Sequence, residues 1–337
     1  GQISTCGSSS MSCPIYIVDA FTNRLFAGNQ AAICLSKQDL SSEEAQSIAA
    51  EFNLSETAYP FPRNEKDTFK TGRSFSLRWF TPKTEVDLCG HATLATSHVL
   101  FNEVGNTNES IDFHTRSGLL TVRRRGESVE MNFPAYDITQ AHLKHLNDHN
   151  DGLFPMFNAP SFLIDLIRCV IPESIAVKSV AYAAKAKKLI VEIDGETTKF
   201  ELLALSPNLN EMLSVHPDGG HVKGFIVTLA PKRPLQQGFV DDGEIPYDYV
   251  CRYFAPWVGI NEDPATGSAQ CALAPFWSTI MKKKELYAFQ CYPNRGAQFR
   301  VTVLEEGRVS IVGSSMTVVR GEMQVKNEPT FYEPPAQ

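Results

Sequence analysis

The sequence predicts an α+β protein made of two similar domains, and repeated motifs carry that prediction. The motif Cys89-Gly90-His91-Ala92-Thr93 has a counterpart in Ala265-Thr266-Gly267-Ser268-Ala269. An aromatic, strand-like run precedes each copy, Arg78-Trp79-Phe80-Thr81-Pro82 in one case and Arg252-Tyr253-Phe254-Ala255-Pro256 in the other. The spacing is nearly constant, since 174 residues separate the two arginines and 177 separate the two motif glycines. A duplication with so long a period indicates two similar domains that face each other rather than a solenoid.

A third pair of marks agrees with the duplication. Arg116-Ser117-Gly118 and Asn294-Arg295-Gly296 each precede an alternating strand pattern, and their glycines lie 178 residues apart. We therefore expect an N-terminal domain over residues 14–136, completed by a strand from 316–330, and a C-terminal domain over 137–315.

Length, composition and charge argue against several classes of protein. With 337 residues, 43% hydrophobic and 20% charged, the chain is predicted to be a soluble globular protein. Its formal net charge of −7 argues against a nucleic-acid partner. Eight scattered cysteines without a Cys-x-x-Cys pair argue against a disulfide framework, and no apolar run reaches the roughly 18 residues of a membrane span. Residues 1–13 are predicted to be a disordered tail rather than a secretory signal, and a cytoplasmic location is expected.

The N-terminal half is predicted to form strands around one buried helix. A capping box, Ser41 with Glu44, starts a first helix that continues to Phe52, and Glu56 then lies where a loop becomes a strand. The helix that begins at Gly90 has small and apolar residues on several faces, so we expect it to be almost wholly buried. Strands are predicted over residues 14–22, 31–35, 75–81, 111–115 and 119–133.

The C-terminal half is predicted to follow a polar crossover and insertion at residues 137–160. A second buried helix begins at Ser268, and Pro275 is expected to kink it or end it early because proline lacks the amide hydrogen. Helices are predicted over residues 161–169 and 207–214, and strands over 187–194, 224–229, 298–304, 308–312 and 316–325.

Each repeated motif places a glycine in the first turn of a buried helix. A helix start offers unpaired N–H groups and the positive end of the helix dipole, so it attracts a carboxylate. The alternative is that Gly90 and Gly267 only permit close packing. The duplication favours a binding site, because His91 and Ser268 then occupy equivalent positions at the two helix starts.

Two carboxylates are further candidates for the site. Glu56 lies in a largely apolar segment, where desolvation would raise the pKa of its carboxyl toward the range useful for proton transfer. The alternative is an exposed glutamate at the start of a strand. Asp263 is equally suited to capping the helix that follows it, and the residues alone favour that role.

Two arrangements of cysteine and histidine are discounted. Cys89 and His91 could act as nucleophile and base, but an i, i+2 pair at a helix start is expected to point its side chains apart. His142, His145 and His149 have the helical spacing of a metal face, yet they lie in polar sequence, which favours a solvated surface. The sequence has no nucleotide-binding loop, and no metal or cofactor is predicted.

The motifs resemble the PhzF family of phenazine biosynthesis-like proteins, which share the diaminopimelate epimerase fold. The resemblance extends over about residues 14–325 and depends on the following stretches: Ile17-Val18-Asp19-Ala20-Phe21, Phe26-Ala27-Gly28-Asn29, Ser55-Glu56-Thr57, Arg78-Trp79-Phe80-Thr81-Pro82, Cys89-Gly90-His91-Ala92-Thr93 and Asp263-Pro264-Ala265-Thr266-Gly267-Ser268. It implies a diaminopimelate epimerase-like fold of two pseudo-symmetric domains, each with a sheet or open barrel around a central helix, and an active site between them.

The resemblance also implies roles for individual residues. Glu56 would be the general acid/base, and His91 and Asp263 would orient the substrate and hold its charge. Related epimerases use two cysteines on opposite faces of the substrate α-carbon; Cys89 matches the first, but Thr266 stands where the second should be. A two-thiol racemase is therefore not expected. A single glutamate that returns the proton to another carbon on the same face suits an allylic or 1,3-type isomerisation.

We therefore expect a cofactor-independent isomerase that shifts a proton within a small cyclic amino or hydroxy acid. The acid would be bound by residues around the two helix starts, namely Cys89, Gly90, Ala92, Thr266, Gly267 and Ser268. The alternatives are a non-catalytic ligand-sensing or protein-interaction protein on the same fold, and an amino-acid racemase or epimerase. Many two-domain members of such families form homodimers, and neither a membrane nor a nucleic-acid partner is expected.

Overall fold

A computed structural model describes the chain over residues 12–143 and 152–325. Residues 1–11 of the predicted tail lie outside this part of the chain, as do His145 and His149. The last two residues of that tail, Ser12 and Cys13, were predicted wrongly, because they belong to the first strand and pair with the last one. No helix in the described residues is long and apolar enough to cross a membrane.

The first half alternates strands and helices along the chain. The strands are β1 (Ser12–Ala20), β2 (Asn29–Cys34), β3 (Glu56–Pro62), β4 (Ser74–Phe80), β5 (Glu85–Val86), β6 (Ser110–Thr115), β7 (Gly118–Arg125), β8 (Ser128–Pro134) and β9 (Thr139–Ala141). The helices are α1 (Ser42–Phe52) and α2 (Gly90–His98), and a π-helical segment, Val99–Val104, extends α2. The predicted capping box starts α1, since Ser41 Oγ accepts from the Glu44 amide and Glu44 accepts from the Ser41 amide.

The second half has the same order with more helices. Its strands are β10 (Met156–Phe157), β11 (Val177–Ala183), β12 (Lys188–Ile193), β13 (Gly224–Leu229), β14 (Tyr249–Phe254), β15 (Glu285–Gln290), β16 (Ala297–Leu304), β17 (Arg308–Gly313) and β18 (Ser315–Gln324). Its helices are α3 (Leu163–Arg168), α4 (Lys199–Ala204), α5 (Leu209–Val215), α6 (Pro234–Gln237) and α7 (Gly267–Met281). The sequence prediction did not include β11, β15 or α4.

The strand pairings of the first half recur in the second, which confirms the duplication. In the first half β1 and β2 are antiparallel, β2 and β3 parallel, β3 and β4 antiparallel, and β4 and β6 parallel. Strands β11, β12, β13, β14 and β15 repeat that series of orientations. Strands β8 and β17 then pair with each other in antiparallel fashion and join the two halves.

The two halves also exchange a strand. Strand β18 follows β17 along the chain but pairs with β1, and β9 follows β8 but pairs with β11. Both pairings are antiparallel. The strand that pairs with β1 thus comes from the second half of the chain, and a strand that pairs with β11 comes from the first half. All the strands therefore belong to one continuous sheet, and the domain limits 14–136 and 137–315 stay a prediction.

The two aromatic runs form equivalent ion pairs. In β4, Arg78 donates to Glu85 through two hydrogen bonds of 2.8 Å. In β14, Arg252 donates to Glu262 through bonds of 2.9 and 2.7 Å. Each guanidinium also lies over the ring of the phenylalanine two residues later, at 5.0 Å from the centroid of Phe80 and 4.9 Å from that of Phe254. The duplicated sequence therefore preserves side-chain contacts as well as backbone order.

Helices α2 and α7 lie in one shared hydrophobic core. In α2 every residue from His91 to Ser97 is buried, as the sequence predicts for a helix without a polar face. Small and branched residues of both helices pack in this core, namely Ala92, Leu94, Ala95, Ala269, Ala272 and Leu273. Of the two effects expected of Pro275, a kink or an early end, the early end is wrong, because the helix continues to Met281. The Cys271 carbonyl, which a proline at this position leaves free, accepts from the Tyr136 amide at 3.0 Å.

Candidate active site

The starts of α2 and α7 meet each other. Each helix begins with its motif glycine after an extended cap residue, Cys89 (φ −146°, ψ 109°) or Thr266 (φ −124°, ψ 99°). A Cβ atom added to Gly90 would lie 3.4 Å from the Cα of Gly267, and one added to Gly267 would lie 3.5 Å from the Cα of Gly90. The positive ends of two helix dipoles are therefore brought together, which favours a bound anion.

Glu56 is a buried carboxyl close to these helix starts. It is the first residue of β3, and only 7% of the residue is exposed. Its Oε2 atom has no hydrogen-bond partner among the described residues. Burial, together with the negative charge of Asp263, raises the pKa of Glu56 to about 8. The alternative of an exposed glutamate at a strand start is wrong, and the carboxyl can exchange a proton near neutral pH.

Asp263 is a second buried carboxylate, held by two hydrogen bonds. Its Oδ1 accepts from Asn29 Nδ2 at 2.9 Å, and its Oδ2 accepts from the Thr266 hydroxyl at 2.5 Å. Burial raises the pKa of Asp263 to about 6, and both hydrogen bonds oppose that change. The helix cap of α7 is Thr266, so the interpretation of Asp263 as a simple helix cap is wrong.

Asn29 connects the two halves at this site, a role that the sequence pattern does not predict. Its Nδ2 donates to Asp263 Oδ1 and to the Ala265 carbonyl at 3.0 Å, while its Oδ1 accepts from the Ser55 hydroxyl at 3.3 Å. Gln290 supports the same turn, since its Oε1 accepts from the Thr266 amide at 2.8 Å. The only sequence signal for Asn29 is its place in the motif Phe26-Ala27-Gly28-Asn29.

His91 is buried and contacts protein atoms through both ring nitrogens. Its Nε2 lies 3.1 Å from the Gln30 carbonyl and 3.3 Å from the Ser55 hydroxyl. Because a carbonyl only accepts, Nε2 carries the hydrogen, and Nδ1 accepts from the Cys89 thiol at 3.3 Å. Burial lowers the pKa of His91 to about 4, so the ring is neutral at pH 7.

The expectation that the Cys89 and His91 side chains point apart is wrong. That spacing rule holds within a helix, whereas Cys89 is the extended cap residue and its thiol reaches the imidazole of the first turn. Burial nevertheless raises the pKa of the Cys89 thiol well above its ordinary value. A thiol kept protonated in this way is a poor nucleophile, which agrees with discounting covalent catalysis.

The chain is similar to proteins of one family over most of its length. The profile described as phenazine biosynthesis-like protein matches residues 18–321. The chain is 38% identical over 313 residues to the phenazine biosynthesis-like domain-containing protein of Homo sapiens, covering 93% of this chain and 99% of that one. The chain belongs to the PhzF family. It is also 35% identical over 314 residues to an uncharacterized isomerase of Halalkalibacterium halodurans, with 93% and 99% covered.

A solved structure extends the likeness from sequence to fold. The crystal structure of a PhzF-family phenazine biosynthesis protein from Enterococcus faecalis matches with a TM-score of 0.72 at 30% identity, covering 93% of this chain and 99% of that one. The expected PhzF-type α+β fold is therefore confirmed. The match spans both halves of the chain.

The remaining predicted residues of this PhzF-family chain lie around the same two helix starts. Ser268 is half-buried in the first turn of α7. Ala92 is fully buried in the core, so only its backbone could reach a ligand. His142 is exposed, and the described residues contain no group of side chains suited to a metal ion. The structure thus gathers Glu56, Asp263 and both helix starts, whereas His142, the member of the histidine series that the structure describes, is exposed.

Proposed function

We propose that this protein is a cofactor-independent isomerase that shifts a proton within a small carboxylic acid, with Glu56 as the acid/base. The observation that carries the proposal is the carboxyl of Glu56, which is buried, has a free Oε2 atom and has a pKa raised to about 8. Such a group can both take and return a proton near neutral pH. The name of the Halalkalibacterium halodurans relative, an uncharacterized isomerase, supports the same reaction class.

The acid group of the substrate would dock where the two helix starts meet. Backbone amides around Gly90 and Gly267, with the Ser268 hydroxyl, would bind it without an arginine or a metal. Asp263, fixed by Asn29 and Thr266, would accept a hydrogen bond from the amino or hydroxyl group. The substrate would then lie with its reacting carbons beside the free oxygen of Glu56.

The reaction follows from a single base. The Glu56 carboxylate removes a proton from one carbon, the C–H electron pair forms a new π bond to the adjacent carbon, and the electrons of the existing π bond move to the carbon at its far end. The same carboxyl then delivers the proton to the far carbon, so no electron or atom is gained or lost. His91 is neutral and already bonded to protein atoms, so we assign it a positioning role between α2 and the ends of β2 and β3.

The two alternatives make different demands on the site. A two-base racemase needs a second acid/base at the start of α7, where Thr266 has its hydroxyl bonded to Asp263. A ligand-sensing protein would bind the acid but would not need a carboxyl with a pKa near 8. The burial of Glu56 therefore favours the isomerase, because an ionisable group without a partner is costly to bury.

The test is proton exchange in heavy water, followed by NMR on a panel of small cyclic amino and hydroxy acids. We expect the wild type to isomerise at least one acid, and Glu56→Gln to lose that activity by at least about a hundredfold. Glu51→Gln, an exposed glutamate of α1, is the matched control and should keep full activity. Equal turnover and deuterium incorporation in Glu56→Gln would remove Glu56 from the mechanism. Binding without exchange in the wild type would support the ligand-sensing alternative.

A further inference from the structure

The strand registers identify the residues of the second half that correspond to the site of Glu56. In the first half Glu56 opens β3 and pairs with Ala31 of the parallel strand β2. In the second half Gly224 opens β13 and pairs with Lys188 of the parallel strand β12. The residue after Glu56 and the residue after Gly224 each pair with the phenylalanine of their aromatic run. Gly224 is therefore the counterpart of Glu56, and Lys188 the counterpart of Ala31.

Two other side chains fill the space beside Gly224. A Cβ atom on Gly224 would overlap the hydroxyl of Tyr253. The Lys188 ammonium donates to that hydroxyl and lies 4.4 Å from the centroid of the tyrosine ring. Lys188 faces the core around α7, since Ile190, two residues along the same strand face, packs in that core. An ammonium and a phenol thus stand where the first half has a carboxyl.

The ammonium of Lys188 is buried and lies beyond ion-pair distance of every acidic side chain that the structure describes. Lys188 is 7% exposed, and it forms no ion pair with any of the residues 12–143 and 152–325. Burying an unpaired charge is costly, so such a group is stable where an anion can approach it. The tyrosine hydroxyl takes one of the three ammonium hydrogens, which leaves two for a ligand.

The charge of Lys188 acts on Asp263, one of the two carboxylates of the proposed site. The backbone amide of Asp263 donates to the carbonyl of Tyr253 at 3.0 Å, so Asp263 adjoins this pair. Burial raises the pKa of Asp263, and the positive charge of Lys188 acts in the opposite direction. The charge of Asp263 in turn acts on Glu56. A ligand held at the helix starts beside Asp263 therefore lies within the field of Lys188.

We propose that Lys188, oriented by Tyr253, binds a second acidic group of the substrate, so that the protein prefers small acids with two anionic groups. This inference rests on the proposed function, because it assumes that the first acid group docks at the starts of α2 and α7. A monoacid would leave the buried ammonium unpaired, whereas a diacid satisfies it. Lys188 is therefore a specificity-determining residue, and the proton transfer remains with Glu56.

The test compares ligands that differ by one carboxylate. Titration calorimetry would measure the affinity of the protein for cyclohexanecarboxylate and for the 1,2-, 1,3- and 1,4-cyclohexanedicarboxylates. We expect at least one diacid to bind the wild type on the order of tenfold more tightly than the monoacid, the effect of one charge-assisted hydrogen bond. Lys188→Met should abolish this preference and keep the monoacid affinity, while Lys188→Arg should restore part of it. Lys185→Met, an exposed lysine of the adjoining turn, is the matched control and should keep the wild-type preference.

Several outcomes would overturn the inference. Equal affinity of the wild type for the monoacid and every diacid would do so without any variant, and so would a failure to bind any of these acids. An unchanged preference in folded Lys188→Met would have the same consequence. If that variant does not fold, Tyr253→Phe decides, because an unchanged preference after loss of the orienting hydroxyl also contradicts the proposal. Heavy-water exchange with Glu56→Gln is a separate measurement, so the proposed isomerase can stand while the preference for diacids fails.

Discussion

Gly90 and Gly267 open two helices of one core and approach each other so closely that a Cβ on either would lie within 3.5 Å of the other's Cα. They are 177 residues apart in the chain. The contact is ordinary van der Waals contact rather than overlap, so the fold itself tolerates one methyl group at either position. An added methyl group would instead occupy space between the two helix starts, where the substrate acid group is proposed to bind.

Alanine at either glycine should separate binding from packing. We expect Gly90→Ala and Gly267→Ala to change the free energy of unfolding by less than about 1 kcal/mol, because alanine favours the helix. Carboxylate affinity should fall on the order of tenfold or more, since the methyl group fills the proposed site. Urea unfolding and calorimetry measure the two effects. Full affinity in both variants would show that the glycines serve packing alone.

Activity should rise with pH as Glu56 ionises. The ionised carboxylate starts the reaction, and the pKa of Glu56 is raised to about 8. We therefore expect kcat/KM to rise with pH to a plateau, with its midpoint near pH 8. Because the charge of Asp263 contributes to that shift, Asp263→Asn should move the midpoint to lower pH, whatever it does to the maximal rate. The coupled carboxyls titrate as a pair, so the pH profile of each variant is the readout. A midpoint unchanged in Asp263→Asn would contradict the coupling.

Glu56 should also make stability depend on pH. Its pKa is raised in the folded state, so the favourable contribution of the protonated carboxyl is complete below the unfolded pKa of about 4.3 and is lost as pH rises through about 8. Glu56→Gln has no carboxyl and so does not lose this contribution. Between pH 5 and 9 we therefore expect the unfolding free energy of Glu56→Gln to rise relative to that of the wild type, by at most about 5 kcal/mol. Urea unfolding at both pH values measures this, with Glu51→Gln as control. Parallel stability curves for wild type and Glu56→Gln would disprove it.

The duplicated ion pairs offer an internal comparison of burial. The side chains of Arg252 and Glu262 are 5% and 12% exposed, whereas those of Arg78 and Glu85 are 30% and 15% exposed. We expect Glu262→Gln to cost about 3 kcal/mol of unfolding free energy, because it leaves a buried guanidinium unpaired. Glu85→Gln should cost about 1 kcal/mol or less. Thermal or urea unfolding of the two variants measures the difference, and equal costs would contradict the argument.

Much of the fold can be predicted from local sequence pattern. The capping box of α1, the buried helix that starts at Gly90 and the apolar strand β13 each depend on residues close together in the chain. Strand β11 is not predicted because its buried face carries Ser179, Ala181 and Ala183, so the sequence lacks the apolar and polar alternation of a half-exposed strand. The early end that was expected at Pro275 as an alternative to a kink does not occur, because the amide of Tyr136, far away in sequence, donates to the Cys271 carbonyl that proline leaves free.

The candidate site is also only partly predictable from the sequence. The repeated glycines and Glu56 are recognisable in the sequence because they lie in motifs, but their burial and hydrogen-bond partners are not. Asn29 bonds to Asp263 across 234 positions, and Lys188 stands beside Tyr253 across 65. Neither contact leaves a periodic signal in either partner, since each depends on how whole strands pack.

The sequence by itself determined the duplication, the buried helices that start at the two repeated motifs and the family resemblance, because these depend on spacing and on patterns within a few residues. Only the tertiary structure decided that the helix starts touch, that β9 pairs with a strand of the second half, and that Glu56 is buried beside Asp263. It also showed that the Cys89 thiol and the His91 imidazole, which the sequence predicts to point apart, are hydrogen-bonded to each other. The physical reason is that desolvation and close approach arise from distant segments packed together, and those effects set the pKa of a group and its role.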